Sequence, residues 1–377
     1  MQYKAMVMTK NSVPVPGSFL IKPGTNLRTG ENDLSRVFGP LLTIEKDALR
    51  VASAIYACDL AFRRGEREEF TRAIELTIPV VNRELFNSVR EEITYALYTL
   101  SDDTWQINFT QDISTNVTFQ AYMPYEGKVL LFSGGIDSFA AAMGLGFAKE
   151  NVQLVSHVTA NHVVSNAQET IYSYLQNKFP GQFERTVIHA GGVNKDPKGF
   201  PFPIDEDREE TQRTRSFLFL TFAAIVARRR TINDIIMIAE NGQMAIHVPL
   251  TAARIGAFST QTAHPEFINS MNLILSKLFT FNFNIHNPFL YLTKGEVVQS
   301  SLLKDIDAIS QTVSCWRSTR LSGPKTHCGE CIPCYIRRIA NEANNILIDE
   351  YDRNVFLENV KKLKPDDIGK RNLMELA

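Results

Sequence analysis

Residues 132–138 read Phe132-Ser133-Gly134-Gly135-Ile136-Asp137-Ser138. Two adjacent glycines let a backbone approach a ligand closely, and Ser133 and Ser138 add hydroxyls. A helix opening here would aim its free amides and the positive end of its dipole at that ligand. The chemistry is anion binding of the phosphate kind. No Walker lysine follows the glycines, so this is not an ordinary P-loop NTPase, and Asp137 would repel a phosphate unless it worked with a metal ion or oriented the loop. A second group, Cys315, Cys328, Cys331 and Cys334, has the spacing C-x12-C-x2-C-x2-C. Four thiolates can close a tetrahedral zinc site, and with no coordination position left open such a site is structural. An iron–sulfur cluster is the other reading of four cysteines.

Further candidates are more scattered. Arg213 and Arg215 open a predicted helix over 211–229, where paired donors could hold phosphate oxygens. Glu240-Asn241-Gly242 follows an apolar strand, a plausible place to read a planar heterocycle by its hydrogen-bonding edge. His264 either joins that pocket or caps the helix predicted over 265–279. His157, His189 and Glu240 fall where strands of a doubly wound sheet end and ligands gather.

These groups need elements to hold them. The apolar run 129–132 suits a strand buried on both faces, and 136–148 has the length and alanine content of a helix. Strands over 152–158, 185–189 and 234–239 alternate with helices over 165–179 and 211–229, which is the pattern of an α/β, doubly wound, mostly parallel sheet. Ahead of this, residues 1–40 read as loops with an edge strand or two. Ala48, Val51, Ala52, Ile55, Ala57, Cys58, Ala61 and Phe62 recur at helical spacing within 43–64. Thr43 is the expected N-cap there, and Cys58 a core residue. A strand over 73–81, a helix over 84–100 and a hairpin formed by 104–110 with 116–122 complete this part. The expected organisation is an N-terminal α/β accessory module (1–125), a nucleotide-binding domain (126–310) and a cysteine-bearing helical segment (311–377).

The chain has 377 residues, 44% hydrophobic and 21% charged, with a formal net charge of −1. That is enough for about two domains, each with a core, and supplies no overall basic field to recruit nucleic acid. Arg228-Arg229-Arg230 reads as a solvated helix end. No apolar run is long enough to cross a bilayer and no secretory leader is evident, so a cytoplasmic protein without membrane contact is expected. Clustered cysteines suit a reducing compartment.

Ser133-Gly134-Gly135-Ile136-Asp137-Ser138 resembles the signature of the N-type ATP pyrophosphatases, the PP-loop enzymes that split ATP between the α and β phosphates and adenylate an acceptor. Joined to the four-cysteine pattern, it resembles the QueC-like branch, the 7-cyano-7-deazaguanine synthases, over about residues 127–345. Asn287-Pro288 followed by Thr293-Lys294-x-Glu296 resembles that family too, as does Arg215 ahead of Phe217-Leu218-Phe219-Leu220. The resemblance implies an adenine nucleotide alpha-hydrolase-like fold. It implies ATP held by Phe132 through Ser138 with Arg215, and catalytic roles for Ser133, Asp137, Ser138 and Arg215; the helix-start reading adds Arg213 as an ATP contact. Substrate contacts are expected from Lys294 in the family-like stretch and, on the residue chemistry above, from Glu240, Asn241 and His264. Mg2+ is expected with ATP and Zn2+ on the four cysteines.

The reaction so implied is adenylation of the 7-carboxy-7-deazaguanine carboxylate, attack by ammonia to an amide, and a second adenylation that eliminates a nitrile. The family's Asp, Tyr-Pro-Asp-Cys-Arg substrate motif is missing, and His264-Pro265 with Phe267 takes its place. With the N-terminal 125 residues, this departure resembles the longer QueC-like proteins of bacterial anti-phage defence operons such as Qat and of some cyclic-nucleotide signalling systems. Three functions follow as expectations. One is a deazapurine-activating ligase in defence, transferring to ammonia or to a protein amine, with the N-terminal module docking an operon-encoded partner or a second copy in a homodimer. Another is a housekeeping nitrile synthase. The last is a zinc-stapled nucleotide-binding scaffold without turnover, which the intact loop disfavours.

Overall fold

The computed structural model describes residues 1–65, 70–114, 117, 123–158, 161–194, 199–209, 211–236, 239–243, 260–301, 305–318, 321, 325–348 and 350–376. Among these described residues, ten strands form two sheets: β1 (Gln2–Val7), β2 (Phe19–Ile21), β3 (Leu27–Thr29), β4 (Ala73–Val80), β5 (Thr104–Gln111), β6 (Lys128–Leu131), β7 (Val152–Val158), β8 (Phe183–Gly192), β9 (Asp234–Ile236) and β10 (Asn284–His286). The larger has the order β10-β9-β6-β7-β8-β3, and every pair is parallel except β3 with β8. From β6 the chain winds outward through β7 and β8, then returns to β9 on the other side, so β6 and β9 flank the point where winding reverses.

Alternation along the strands sends side chains to two cores. Leu130, Phe132 and Leu154 pack with helices α5 (Ile136–Phe147) and α6 (His162–Lys178). Val129, Leu131, Val155 and Ile188 pack on the other face with α7 (Arg215–Arg230) and α8 (Pro265–Phe279). Residues 216–227 of α7 are all buried. A helix apolar all round needs a further layer outside it. That layer is α2 (Thr43–Ala61), which packs on α7, β8 and β3 with one part of its surface and on β4 with another. Beyond it lies the second sheet, order β2-β1-β4-β5, parallel throughout.

Several sequence expectations change here. Residues 1–40 do hold the expected edge strands, β2 and β3, but also the interior strand β1; β3 extends the nucleotide sheet, and among the described residues the N-terminal part shares one hydrophobic core with the nucleotide domain. The helix expected over 84–100 is broken into α3 (Arg83–Asn87) and α4 (Arg90–Ser101). Because this pair crosses between β4 and β5, β5 runs parallel to β4 and is no hairpin arm with 104–110 as its first half. The expected second arm, 116–122, lies outside the described residues except for Val117. The expected N-cap Thr43 is the first helical residue. Leu42 is the N-cap, its amide donates to Glu45 Oε2 (2.8 Å), and the Thr43 hydroxyl accepts from the Val117 amide (2.6 Å). Nor is the arginine triple a solvated end: Arg229 is buried against buried Glu45, with Nε donating at 2.7 Å, and Arg230 pairs with Glu184.

The remaining α-helices among the described residues are α1 (Glu31–Phe38), α9 (Lys294–Ser301), α10 (Ile306–Gln311), α11 (Ile332–Ala343) and α12 (Ile368–Leu376). No helix among the described residues is long and apolar enough to cross a membrane.

A buried ion cluster joins the layers. Arg72 donates to Asp59 and Asp103 (both 2.6 Å), and Arg64 grips Asp103 with two bonds of 2.8 and 2.7 Å. Asp59 then accepts the amide and hydroxyl of Thr214 (2.8 and 3.0 Å), the residue before α7. Burial alone would raise the Asp59 carboxyl, but the Arg72 guanidinium and the Thr214 amide together hold it below the usual carboxylate range. Its contribution to stability is therefore full above about pH 4 and lost as pH falls through the lowered folded-state value. Asp59→Ala removes one of the two carboxylates that Arg72 bonds and the anchor of Thr214, and is expected to cost about 3 kcal/mol at pH 7, read by urea denaturation. A change under about 1 kcal/mol would show that the cluster is not what joins the layers.

Candidate functional site at the sheet's switch point

The loop leaving β6 is shaped by its glycines and braced from behind. Gly134 has φ +80°, and a Cβ there would sit 2.9 Å from Gln168 Cγ and 3.2 Å from the Gln168 backbone nitrogen, so the position requires glycine. Gln168 of α6 donates to the Ser133 carbonyl (3.3 Å). Ser138 is buried, donates to the Gly135 carbonyl (3.0 Å) and lies 3.1 Å from the Ser133 hydroxyl. Ser133 is exposed. Thus Ser138 holds the turn and Ser133 faces outward, beside the unpaired amides that open α5. Phe132 and Ile136 bury their side chains in the core and give the loop only their backbone.

Asp137 is not left facing an anion alone. Its Oδ2 accepts from Lys294 Nζ (2.7 Å) and from the Asn241 amide (3.3 Å), and its Oδ1 is buried without a partner among the described residues. Lys294 begins α9, where Thr293 and Glu296 cap each other: the Thr293 amide donates to Glu296 Oε2 (2.7 Å) and the Glu296 amide to Thr293 Oγ1 (3.3 Å). The Thr-Lys-x-Glu stretch is therefore a helix start that delivers one cation to the loop. Asn241 is fully buried just beyond β9. Its neighbour Glu240 accepts from the Thr262 hydroxyl (3.0 Å), and the Glu240 carbonyl accepts from Asn287 (2.8 Å). Burial pushes the Glu240 carboxyl up to about 7. The Thr262 bond and Lys294 oppose that rise, and the charge of Asp137 adds to it.

Arg215, the first residue of α7, stands over the Phe219 ring at 4.7 Å, and its Nε is buried without a partner among the described residues. It is close enough to His157 to oppose a positive charge there, and burial with this repulsion lowers that imidazole to about 3. Neutral His157 bonds the Ala190 carbonyl (2.9 Å) and packs on Phe219, which is a core role. His189 lies within β8 and is held by Asp33 (3.1 Å). Arg213 is not brought to the loop. It donates to the Ser101 carbonyl (3.0 Å) and to Asp102 (3.2 Å), and so fastens the start of α7 to the end of α4. His264 caps α8, its Nδ1 accepting from the Glu266 amide (3.3 Å). Of the expected substrate segment, 244–259 lies outside the described residues.

The four cysteines converge. Their sulfurs all lie within 4.8 Å of one another, with separations of 3.3, 3.9 and 4.0 Å among them, and all four side chains are buried and free of disulfides. A tetrahedron of Zn–S bonds of about 2.3 Å has edges of about 3.8 Å, so the set fits a closed zinc site. The amides of Arg317 and Cys328 both point at Cys315 Sγ (3.3 Å each), as suits a thiolate. The cluster also reaches the nucleotide loop: the Val313 amide donates to the Gly134 carbonyl (3.0 Å). Buried Arg337 holds the same strand of chain by donating to Thr312 (2.6 Å), the Ile309 carbonyl (2.7 Å) and Glu350 (2.5 Å). Sequence reasoning missed Gln168, Thr262 and Val313, because each acts through a contact made only in the folded chain.

Cys331→Ser replaces a thiolate by a hydroxyl that zinc binds poorly. Elemental analysis is expected to fall from about one zinc per chain to a small fraction of that. The melting temperature should drop by at least about 5 °C, and nucleotide affinity should weaken through Val313. A wild-type protein purified without zinc would contradict this assignment.

A family model described as "Queuosine biosynthesis protein QueC" matches residues 127–345, more than half of the chain. The 7-cyano-7-deazaguanine synthase of Clostridium novyi (strain NT) is 28% identical over 233 residues, covering 56% of this chain and 92% of that protein. The 7-cyano-7-deazaguanine synthase of Clostridium botulinum (strain 657 / Type Ba4) is 28% identical over 130 residues, 33% of this chain and 50% of that protein. A solved structure, "Crystal structure of a ketoreductase domain from the bacillaene assembly line", aligns over 76% of this chain and 80% of that one, at 12% identity and TM-score 0.23, which carries no argument. The matched span holds both the glycine loop at the switch point and the four cysteines, and the chain belongs to the QueC family of PP-loop proteins, at family level ATP-dependent enzymes of the ligase type.

Proposed function

We propose that this protein activates the carboxylate of a 7-deazapurine by transferring AMP to it from ATP, with release of pyrophosphate, and then passes the acyl group to an amine. The observation that carries the reading is a phosphate-sized loop at the switch point whose one carboxylate, Asp137, is covered by Lys294 at 2.7 Å. In this reading the amides of α5 and the Ser133 hydroxyl receive the phosphates, and Arg215 stabilises charge from the opposite wall. Asn241 and Glu240 line the acceptor pocket beside the loop. Mg2+ carried by the polyphosphate would lower its charge; the loop's geometry and the cation of Lys294 are what this chain adds. Zinc, once bound, holds the 312–315 segment against Gly134 and takes no part in the chemistry.

The acceptor is ammonia or a protein amine, both of which attack the same acyl carbon. Residues 1–125 support the second: they lie outside the matched span, and they offer surface for an operon-encoded partner or a second copy. A setting in phage defence belongs to the same reading. Since these residues share a core with the nucleotide domain, truncation would unfold the protein. The intact chain is therefore the material for the test.

Protein mixed with ATP and 7-carboxy-7-deazaguanine is expected to release AMP and pyrophosphate in equal amounts. Mass spectrometry then distinguishes the acceptors: a free amide or nitrile with ammonium, or a mass adduct on a co-produced partner. Asp137→Ala removes the anchor shared by Lys294 and Asn241 and should lower AMP release by about 10²–10³-fold with zinc content and circular dichroism unchanged. Normal AMP release by that variant would reject the assignment.

A further inference from the structure

β5 is the end strand of the second sheet, paired with β4 on one side from Thr104 to Gln111. The Thr104 amide donates to the Arg72 carbonyl (2.8 Å) and the Asp112 amide to the Val80 carbonyl (2.9 Å), so the even-numbered residues turn their amides and carbonyls toward β4. Because successive residues alternate, Trp105, Ile107 and Phe109 turn theirs outward. Among the described residues nothing bonds those outward groups. Edges of this kind are ordinarily blunted by shortness, charge or proline. The opposite edge of the sheet, β2, is three residues long. β5 has eight, Thr-Trp-Gln-Ile-Asn-Phe-Thr-Gln, with no charged residue and no proline. Beside it lies a cavity of about 590 Å³, walled on the other side by Glu91, Thr94, Tyr95 and Tyr98 of α4. Tyr95 and Tyr98 are 48% and 55% exposed, large aromatic surfaces of the sort that anchor a partner.

We infer that the outer edge of β5 receives an extended segment of a partner protein as a fifth strand, with alternate side chains of that segment in the cavity beside α4. The chemistry of the edge selects the occupant. A row of unmet backbone donors and acceptors is satisfied by another backbone in extended form, and the burial of Trp105, Ile107 and Phe109 puts the apolar face of the new strand on the α4 side. A second copy of this chain fits the edge badly. α4 packs on β5, whereas the helix packed on β4 is α2, so pairing β5 with itself about a two-fold axis would set two helices over adjacent strands. Those helices would stand about 5 Å apart, where packed helices need about 8–10 Å. A segment with no helix above it meets no such obstacle. β5 also lies outside the matched span 127–345, so this surface belongs to the N-terminal part alone. The inference gives the protein partner of the function proposed above its docking surface, and rests on that reading only for the partner being an acceptor.

The test uses the full-length protein and a lysine-flanked peptide of β5's own sequence, which repeats the pattern of apolar side chains toward α4 and polar ones toward water. Paired along the edge, the peptide residues corresponding to Trp105, Ile107 and Phe109 turn their amides to β5, and those corresponding to Gln106, Asn108 and Thr110 turn theirs away. Fluorescence anisotropy is expected to show saturable binding when the second set is N-methylated. Binding should be at least about 10²-fold weaker when the first set is methylated instead, since three donors are then lost. Hydrogen exchange at the Trp105, Ile107 and Phe109 amides should be fast in the free protein and slowed at least about 10-fold by the peptide that binds. Tyr98→Ala should weaken binding about 10-fold and leave the melting temperature and AMP release with ammonium unchanged. Equal binding by the two methylated peptides, or binding by neither, overturns the inference. Slow exchange at those three amides in the free protein also overturns it, because the edge is then already covered by this chain or by a second copy. The binding assay contains no ATP, so a failure of the proposed adenylation and a failure of this docking surface are read separately.

Discussion

A loop that binds phosphate cannot afford an uncovered carboxylate, and the Asp137–Lys294 pair is where this structure meets that constraint. At the partial dielectric of a protein surface, two charges some 4 Å apart interact by about 4 kcal/mol, so an unpaired Asp137 would oppose a polyphosphate strongly. The ammonium arrives from α9, more than 150 residues later in the chain, and the Asn241 amide arrives from the end of β9. The loop is thus completed by elements on both sides of the switch point. An ordinary P-loop carries its cation inside the loop; here the cation is tertiary.

The same loop is held from a third direction. The Val313 amide meets the Gly134 carbonyl, two residues before the first cysteine of the zinc set. Between them, the four-cysteine cluster and buried Arg337 fix a stretch of chain that has no regular structure of its own. A bound metal supplies the rigidity a short helical segment lacks, which is the usual physical use of a closed four-thiolate site. Its location under the loop makes that rigidity relevant to nucleotide binding as well as to folding.

Buried arginines perform a related task between layers. Arg72 joins Asp59 and Asp103, and Arg229 joins Glu45, each pair crossing from one part of the chain to another. Such pairs contribute little net stability compared with well-packed apolar residues, but breaking one strands a charge. They therefore define which surfaces of α2, α7 and the second sheet can meet. The consequence reaches the start of α7, since Asp59 fixes Thr214, the residue before Arg215.

What the sequence by itself determined was local. The glycine pair, the apolar run before it and the alanine-rich run after it state a strand, a turn with left-handed backbone and a helix, because those choices are made within a few residues. The spacing of Cys315, Cys328, Cys331 and Cys334 likewise states a metal set, since ligand number and short separations limit the geometry. The 265–279 helix was legible to the residue, with proline in its first turn and His264 as its cap. Only the tertiary structure decided matters of partnership. Arg213 and Arg215 are two residues apart and look alike in sequence, yet one is tied to the end of α4 and the other stands over the Phe219 ring, because neighbouring positions at a helix start point in different directions. The arginine triple looked solvated because Glu45 and Glu184 are distant in sequence. Residues 1–125 looked like a separate module because nothing local records that β3 pairs with β8 or that α7 needs α2 to cover it. Pairings between distant segments depend on how whole layers pack, and no window of sequence contains that information.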